Sequence, residues 1–152
     1  MPMISSTAEF HAVIGAAVSA AFREVMDKAY KELQNVMRSE VYGAYSPTDY
    51  ARTEGLLTSW KKQVGGLEAE LWFEPSMLAL NPSEWQHSSK YDGGDTRSAI
   101  LDIIAGGYRA MNANTGKPIP ARPAWDVFIK RCDNNMDEWV RAALIHQGLP
   151  VV

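Results

Sequence analysis

VYGAYSPTDYARTEGLLTSW, residues 41–60, is the stretch that decides the fold. It crowds aromatics, turn formers and the start of an apolar run into one short connection between two differently patterned regions. Gly43 interrupts a long 3.6-residue pattern, and Ser46-Pro47-Thr48-Asp49 is a turn in which proline holds its fixed φ. Beyond the turn the period becomes two: Leu56, Thr58, Trp60 and Val64 alternate as a half-buried strand does. The stretch therefore reads as a corner from helix into sheet.

Upstream, Ser6 and Glu9 have the spacing of a capping box, in which hydroxyl and carboxylate each satisfy an orphan backbone donor. From Phe10 the positions Ile14, Val18, Phe22, Val25, Met26, Ala29, Leu33, Val36 and Met37 form one apolar stripe, with Arg23, Asp27, Lys28, Lys31, Glu32 and Arg38 on the other side. A helix of about 30 residues is some 45 Å long. That exceeds what a domain this small covers alone, so part of it is expected to project or to pack on another subunit. Downstream, Gly65-Gly66 suits a tight hairpin, after which Leu67, Ala69, Leu71 and Phe73 alternate with Glu68, Glu70, Trp72 and Glu74. The expected hairpin spans residues 56–74.

Residues 75–95 read as a long irregular loop carrying Trp85, His87 and Tyr91. Asp95 is placed to cap a second helix through Ala99, Ile100, Ile103, Ile104 and Tyr108, weakened at its end by Gly106-Gly107. A turn-rich segment follows, with a short strand through Ile119. Pro123 then opens a last amphipathic helix that Gly148 and Pro150 stop. The expectation is a single α+β domain over residues 1–152, its long N-terminal and C-terminal helices packed on a small antiparallel sheet.

Composition sets the outer bounds. The 152 residues are 46% hydrophobic and 22% charged, as in globular chains, and suffice to bury roughly two-thirds of the unfolded surface. No apolar run is long enough to span a membrane, and the first residues lack the basic start of a secretory signal. The lone Cys132 cannot form an internal disulfide, which fits a reducing cytoplasm. Residues 67–97 hold six acidic against two basic side chains, and the formal net charge is −3. A chain so balanced lacks the basic stripe of a stable nucleic-acid binder.

No residue set spells out a reaction. His11, His87 and His146 are far apart and show no metal-ligand spacing. Cys132 sits on a helical apolar stripe, as buried inert thiols do. Thr115-Gly116-Lys117 lacks the glycine and hydroxyl of a phosphate loop. Glu68, Glu70 and Glu74 share a strand face that in principle holds a divalent cation, but a solvated face is the plainer reading. No catalytic residue, metal site or cofactor is expected. The aromatics are more informative, since several fall in turns or on polar faces, where tyrosine, tryptophan and arginine dominate protein contacts.

Two stretches resemble the neck and tail-completion proteins of tailed bacteriophages, the small subunits that join head to tail. One is Tyr42-Gly-Ala-Tyr45-Ser-Pro47-Thr-Asp-Tyr50-Ala-Arg52-Thr53 with the leucine-led run to Trp60. The other is Gly107-Tyr108 through Pro118-Ile-Pro-Ala-Arg122-Pro123-Ala-Trp125, similar to the family's P-A-R-P launch of its last helix. Together they cover about a third of the chain. The sequence departs from the pattern in placing the aromatic at Trp125, behind Ala124, and in the length of its 75–95 loop.

The resemblance implies a virion structural protein without catalysis, assembled in the host cytoplasm as a homo-oligomeric ring, often sixfold. Its partners would be other neck, portal-adaptor or tail-tube proteins, with DNA passing nearby without specific binding and no membrane. Tyr42, Tyr45, Tyr50, Arg52, Trp60, Trp85, Arg122 and Trp125 are the expected contact residues. Two other readings remain open: a small metal-dependent enzyme using Glu68, Glu70 or Asp92, and a non-virion adaptor that binds protein through the same aromatics. On the first reading, Arg52→Ala impairs assembly, measured by light scattering, more than it impairs any reaction.

Overall fold

The computed structural model describes residues 6–44, 54–66, 68–78, 100–111 and 118–151. In chain order these form helix α1 (Thr7–Val36), a π-helical turn (Met37–Tyr42), a short helical turn α2 (Gly55–Thr58), and strands β1 (Trp60–Gly65) and β2 (Glu68–Phe73). A 3₁₀ turn (Pro75–Met77), helix α3 (Ile100–Gly106), strands β3 (Tyr108–Met111) and β4 (Pro118–Ile119), and helix α4 (Ala124–His146) complete the set. The α+β class holds, with β1 paired to β2 and β3 paired antiparallel to β4.

The elements begin and end where local chemistry dictates. Ser6 Oγ accepts the Glu9 backbone N–H at 3.1 Å, which is the expected cap of α1. At the other end the Gly43 N–H reaches back to the Arg38 carbonyl at 2.7 Å, a bond that spans one residue more than an α-helical one. A Cβ on Gly43 would stand 2.8 Å from the Ser39 carbonyl oxygen, so this exit suits glycine. Helix α4 starts with the Pro123 carbonyl accepting the Val127 N–H at 3.1 Å. It ends in a Schellman motif: Gly148 N–H bonds Ile145 O at 2.9 Å, Leu149 N–H bonds Leu144 O at 3.0 Å, and Gly148 has φ 78°.

Two local expectations are corrected. Leu56 and Thr58 lie in the helical turn α2, and the strand begins only at Trp60. Leu56 and Leu57 are both buried, which a strand with one wet face does not permit but a helical turn does. Tyr108 belongs to strand β3, because Gly107 at φ 73° ends α3 before it. Only Pro75–Met77 and Leu78 of the 75–95 loop are described, and Asp95 lies outside the described residues.

The chain divides into two compact units, one drawn from Met1–Glu32, Lys61–Trp72 and Ile129–Val152, the other from Leu33–Trp60 and Phe73–Phe128. In the first, α1 and α4 run antiparallel. Ala21, Val25 and Ala143 are buried together, with Met136, Trp139, Val140 and Leu144 packed around them. Arg131 Nη1 meets Glu32 Oε1 at 2.6 Å, and His146 Nδ1 meets Glu24 Oε2 at 2.8 Å. Lys62 of β1 pairs with Asp27 and lies 5.2 Å over the Tyr30 ring.

The second unit is built on Leu33, Val36, Met37, Val41, Leu56, Leu57, Trp60, Ile104 and Phe128, all buried. The α2 turn packs on the π-helical turn. Gln34 Nε2 donates to the Leu57 carbonyl at 3.3 Å, and Ser59, fully buried, bonds the Gly55 carbonyl through both its N–H and its hydroxyl.

Leu33 has no exposed surface. Leu33→Ala is therefore expected to lower unfolding free energy by about 3 kcal/mol, read from urea denaturation. A second outcome concerns acid. The His146 imidazole, and after it Lys28 at 3.3 Å, hold the Glu24 carboxyl below its ordinary range. A carboxylate depressed in the folded state adds stability above its unfolded pKa, and that increment is lost as pH falls through the folded value. Stability should thus decline below the ordinary carboxylate range, and Glu24→Gln should flatten part of the decline.

Candidate contact surface

The expected contact residues separate into three groups. Tyr45, Tyr50, Arg52 and Trp85 lie outside the described residues. Tyr42, Trp60 and Arg122 are engaged within the chain. Trp125 is the expected residue that faces solvent.

Tyr42 stands on the last turn of the π-helical segment, and its hydroxyl accepts the Leu56 N–H at 3.3 Å. It thereby ties the end of α1 to the α2 turn. Glu54, just before that turn, has φ 53°, an uncommon conformation for a residue with a Cβ. Arg122 does related work: its backbone N–H bonds the Ile104 carbonyl at 2.9 Å, and its Nη1 approaches the Val41 carbonyl at 3.4 Å. The P-A-R-P segment thus fastens the end of α3 and the π-helical turn to the start of α4.

Trp60 is only 4% exposed, so its ring serves the chain's own packing and does not present a surface. It stacks on Trp125 with centroids 5.3 Å apart and planes within 5°, and it meets Phe73 at 5.2 Å. Trp125 also touches Phe128 at 5.3 Å, yet it remains 37% exposed. Each such aromatic pair adds about 0.5–1.5 kcal/mol beyond area burial. The result is an exposed tryptophan face that is held rigid from behind.

The groups weighed for chemistry are placed less favourably. Glu68 and Glu70 are exposed and, with Gln63 and Gly65, line a shallow open depression. Glu74 Oε1 accepts the Ser76 hydroxyl at 2.7 Å. Among the described residues no cluster of three or more histidine, cysteine, aspartate or glutamate side chains is placed to hold a metal ion. Asp92 and His87 lie outside the described residues. Cys132 is buried, and its thiol is pushed up to about 11 by desolvation first and then by Asp133 and Glu32. A thiol so raised is a poor nucleophile at neutral pH.

The sequence reading expected part of α1 to project but did not name which apolar positions on the helices are exposed. Phe10 and Val13 on α1 are 48% and 46% exposed, and Ile145 on α4 is 56% exposed. The signal that could have found the first two is the absence of any formally charged side chain between Phe10 and Phe22. Among the described residues no helix is long and apolar enough to cross a membrane.

No curated protein and no solved structure matches the chain. The family model of YomN matches residues 7–145, from the start of α1 to the last turn of α4. The chain therefore belongs to the YomN family and is a phage-associated protein.

Proposed function

We propose that the chain is a structural protein of the phage particle, a subunit of the head-to-tail connector that assembles as a ring and catalyses no reaction. The observation that carries this reading is Trp125, a large aromatic left 37% exposed but immobilised by its flat stack on a buried tryptophan. Interface anchors have this character: large, rigid, and low in the entropy lost when a partner covers them. A ring subunit needs two different patches that meet on neighbouring copies. The Trp125 face supplies one, and the aromatic corner with Tyr45, Tyr50 and Arg52 is the candidate for the other.

Charge supports the same placement. Residues 67–97 are acidic, and the hairpin presents Glu68 and Glu70 to solvent. An acidic wall repels phosphates, so DNA slides past it without sticking. Membership in a phage-associated family supports the setting. The partners on this reading are other neck, portal-adaptor or tail-tube proteins.

Proteomics of purified particles, followed by electron microscopy of the neck, tests the proposal. The protein should be present as a ring between head and tail. Trp125→Ala should leave a folded chain by circular dichroism while ring formation by light scattering falls and heads accumulate without tails. Absence of the protein from particles rejects the reading.

A further inference from the structure

Strands β1 and β2 make a sheet of two strands. A two-stranded ribbon is marginal in water and leaves backbone groups unpaired along both of its edges. The register identifies those groups. Glu74 donates its N–H to the Ser59 carbonyl at 2.7 Å, and the two six-residue strands pair onward from that bond. Lys61 then stands opposite Trp72, and Gln63 opposite Glu70, in the hydrogen-bonded pairs of the ladder. The N–H and C=O groups of Lys62 and Val64 on β1, and of Ala69 and Leu71 on β2, therefore point outward. None of these four residues has a backbone bond outside the hairpin among the described residues.

Side chains alternate between two faces. Lys62 turns to α1, where it pairs with Asp27 and lies over the Tyr30 ring. Lys61, Gln63, Glu68 and Glu70 share the opposite face, and three of them border one shallow depression with Gly65. Lys61, Glu68 and Glu70 are exposed, and none forms an ion pair among the described residues.

We propose that the β2 edge of one copy pairs antiparallel with the β1 edge of the next, setting Glu70 beside the neighbouring Lys61 and extending the hairpin into a continuous sheet. Charge selects this occupant. A β2 edge against a second β2 edge opposes the glutamates of two chains, and β1 against β1 opposes lysines. Only the mixed pairing brings opposite charges together. Glu70 falls directly opposite Lys61 when Ala69 exchanges its bonds with Lys62, a stagger of two residues from the hairpin's own register. A sheet that closes on itself needs such a stagger. Trp60 is buried, so the open part of the β1 edge runs from Lys61 to Gly65.

Two different edges meet, so the contact is heterologous and repeats from copy to copy. It adds a contact to the ring proposed above, and only its closure rests on that reading. Without closure the same pairing gives open chains of copies.

Two single-cysteine variants test the pairing on the isolated full chain. Cys132 is buried, so Lys61→Cys and Glu70→Cys each offer one accessible thiol. Mixed and mildly oxidised, they should give a disulfide-linked dimer, because a non-hydrogen-bonded pair sets its Cα atoms about 4.5 Å apart. Neither variant should cross-link with itself. Sedimentation over a concentration series should show self-association that Lys61→Glu or Glu70→Lys weakens about tenfold or more, with circular dichroism unchanged. The double exchange should restore it. Ala69→Pro removes an outward N–H that the hairpin does not use, and should also prevent association. A wild-type chain that stays monomeric, self-cross-linking in place of the mixed product, or association untouched by the charge exchanges each overturns the pairing. Rings that form unaltered in Lys61→Glu overturn it while leaving the connector reading intact. Absence from particles rejects the connector reading and leaves the pairing of isolated chains standing.

Discussion

The burial of Trp60 is the constraint on which the packing of the second unit depends. Trp60 opens β1 directly after the buried Ser59, whose carbonyl accepts the Glu74 N–H at 2.7 Å. The ring is thus held between Phe73 of β2 and Trp125 of α4 by backbone bonds that leave it little freedom. Its indole N–H is buried with no acceptor among the described residues, a cost of about 1–3 kcal/mol that the aromatic contacts must exceed. Ala124 is 2% exposed, and the adjacent Trp125 reaches Trp60.

Arg122 and Tyr42 show why a residue type alone does not announce a surface. Arginine and tyrosine are favoured at interfaces because each joins an apolar body to a polar tip, and the same property suits them to awkward corners inside a fold. Here the Tyr42 hydroxyl satisfies a backbone donor at the start of α2, and Arg122 approaches a carbonyl at the π-helical turn, where helical bonding is irregular. Of the aromatics in residues 41–60, the described Tyr42 and Trp60 are parts of the chain's internal scaffolding.

What was legible in the sequence is what short-range chemistry controls. The Ser6 cap, the stripe from Val25 to Met37, the positive φ of Gly66, the Pro123 start and the Gly148 stop all rest on neighbours within a few residues, and all appear as expected. The α2 turn was hidden because Leu56, Thr58 and Trp60 fit a two-residue period even though Leu57 is buried as well. Strand β3 was hidden because its partner β4 lies beyond a turn-rich segment, and four residues are too few to show a period. The burial of Trp60 depends on Trp125, far along the chain, and no local spacing reports that contact.

Helix α1 carries the most information about what surrounds the molecule. Its two halves are similarly apolar, but from Arg23 onward the outer side is charged by Asp27, Lys31 and Arg38, all exposed. A helix that covers a core on one side and meets water on the other needs that wet side. The half before Arg23 has no such side: between Phe10 and Phe22 no residue around the whole circumference bears a formal charge. Within it Phe10, Ala12, Val13 and Ala16 are exposed, and exposed apolar groups gathered in this way are a feature of contact sites. Full burial begins only at Ala21, with Ile14 and residues 17–20 half-buried before it, so the apolar character of the helix continues past its buried core.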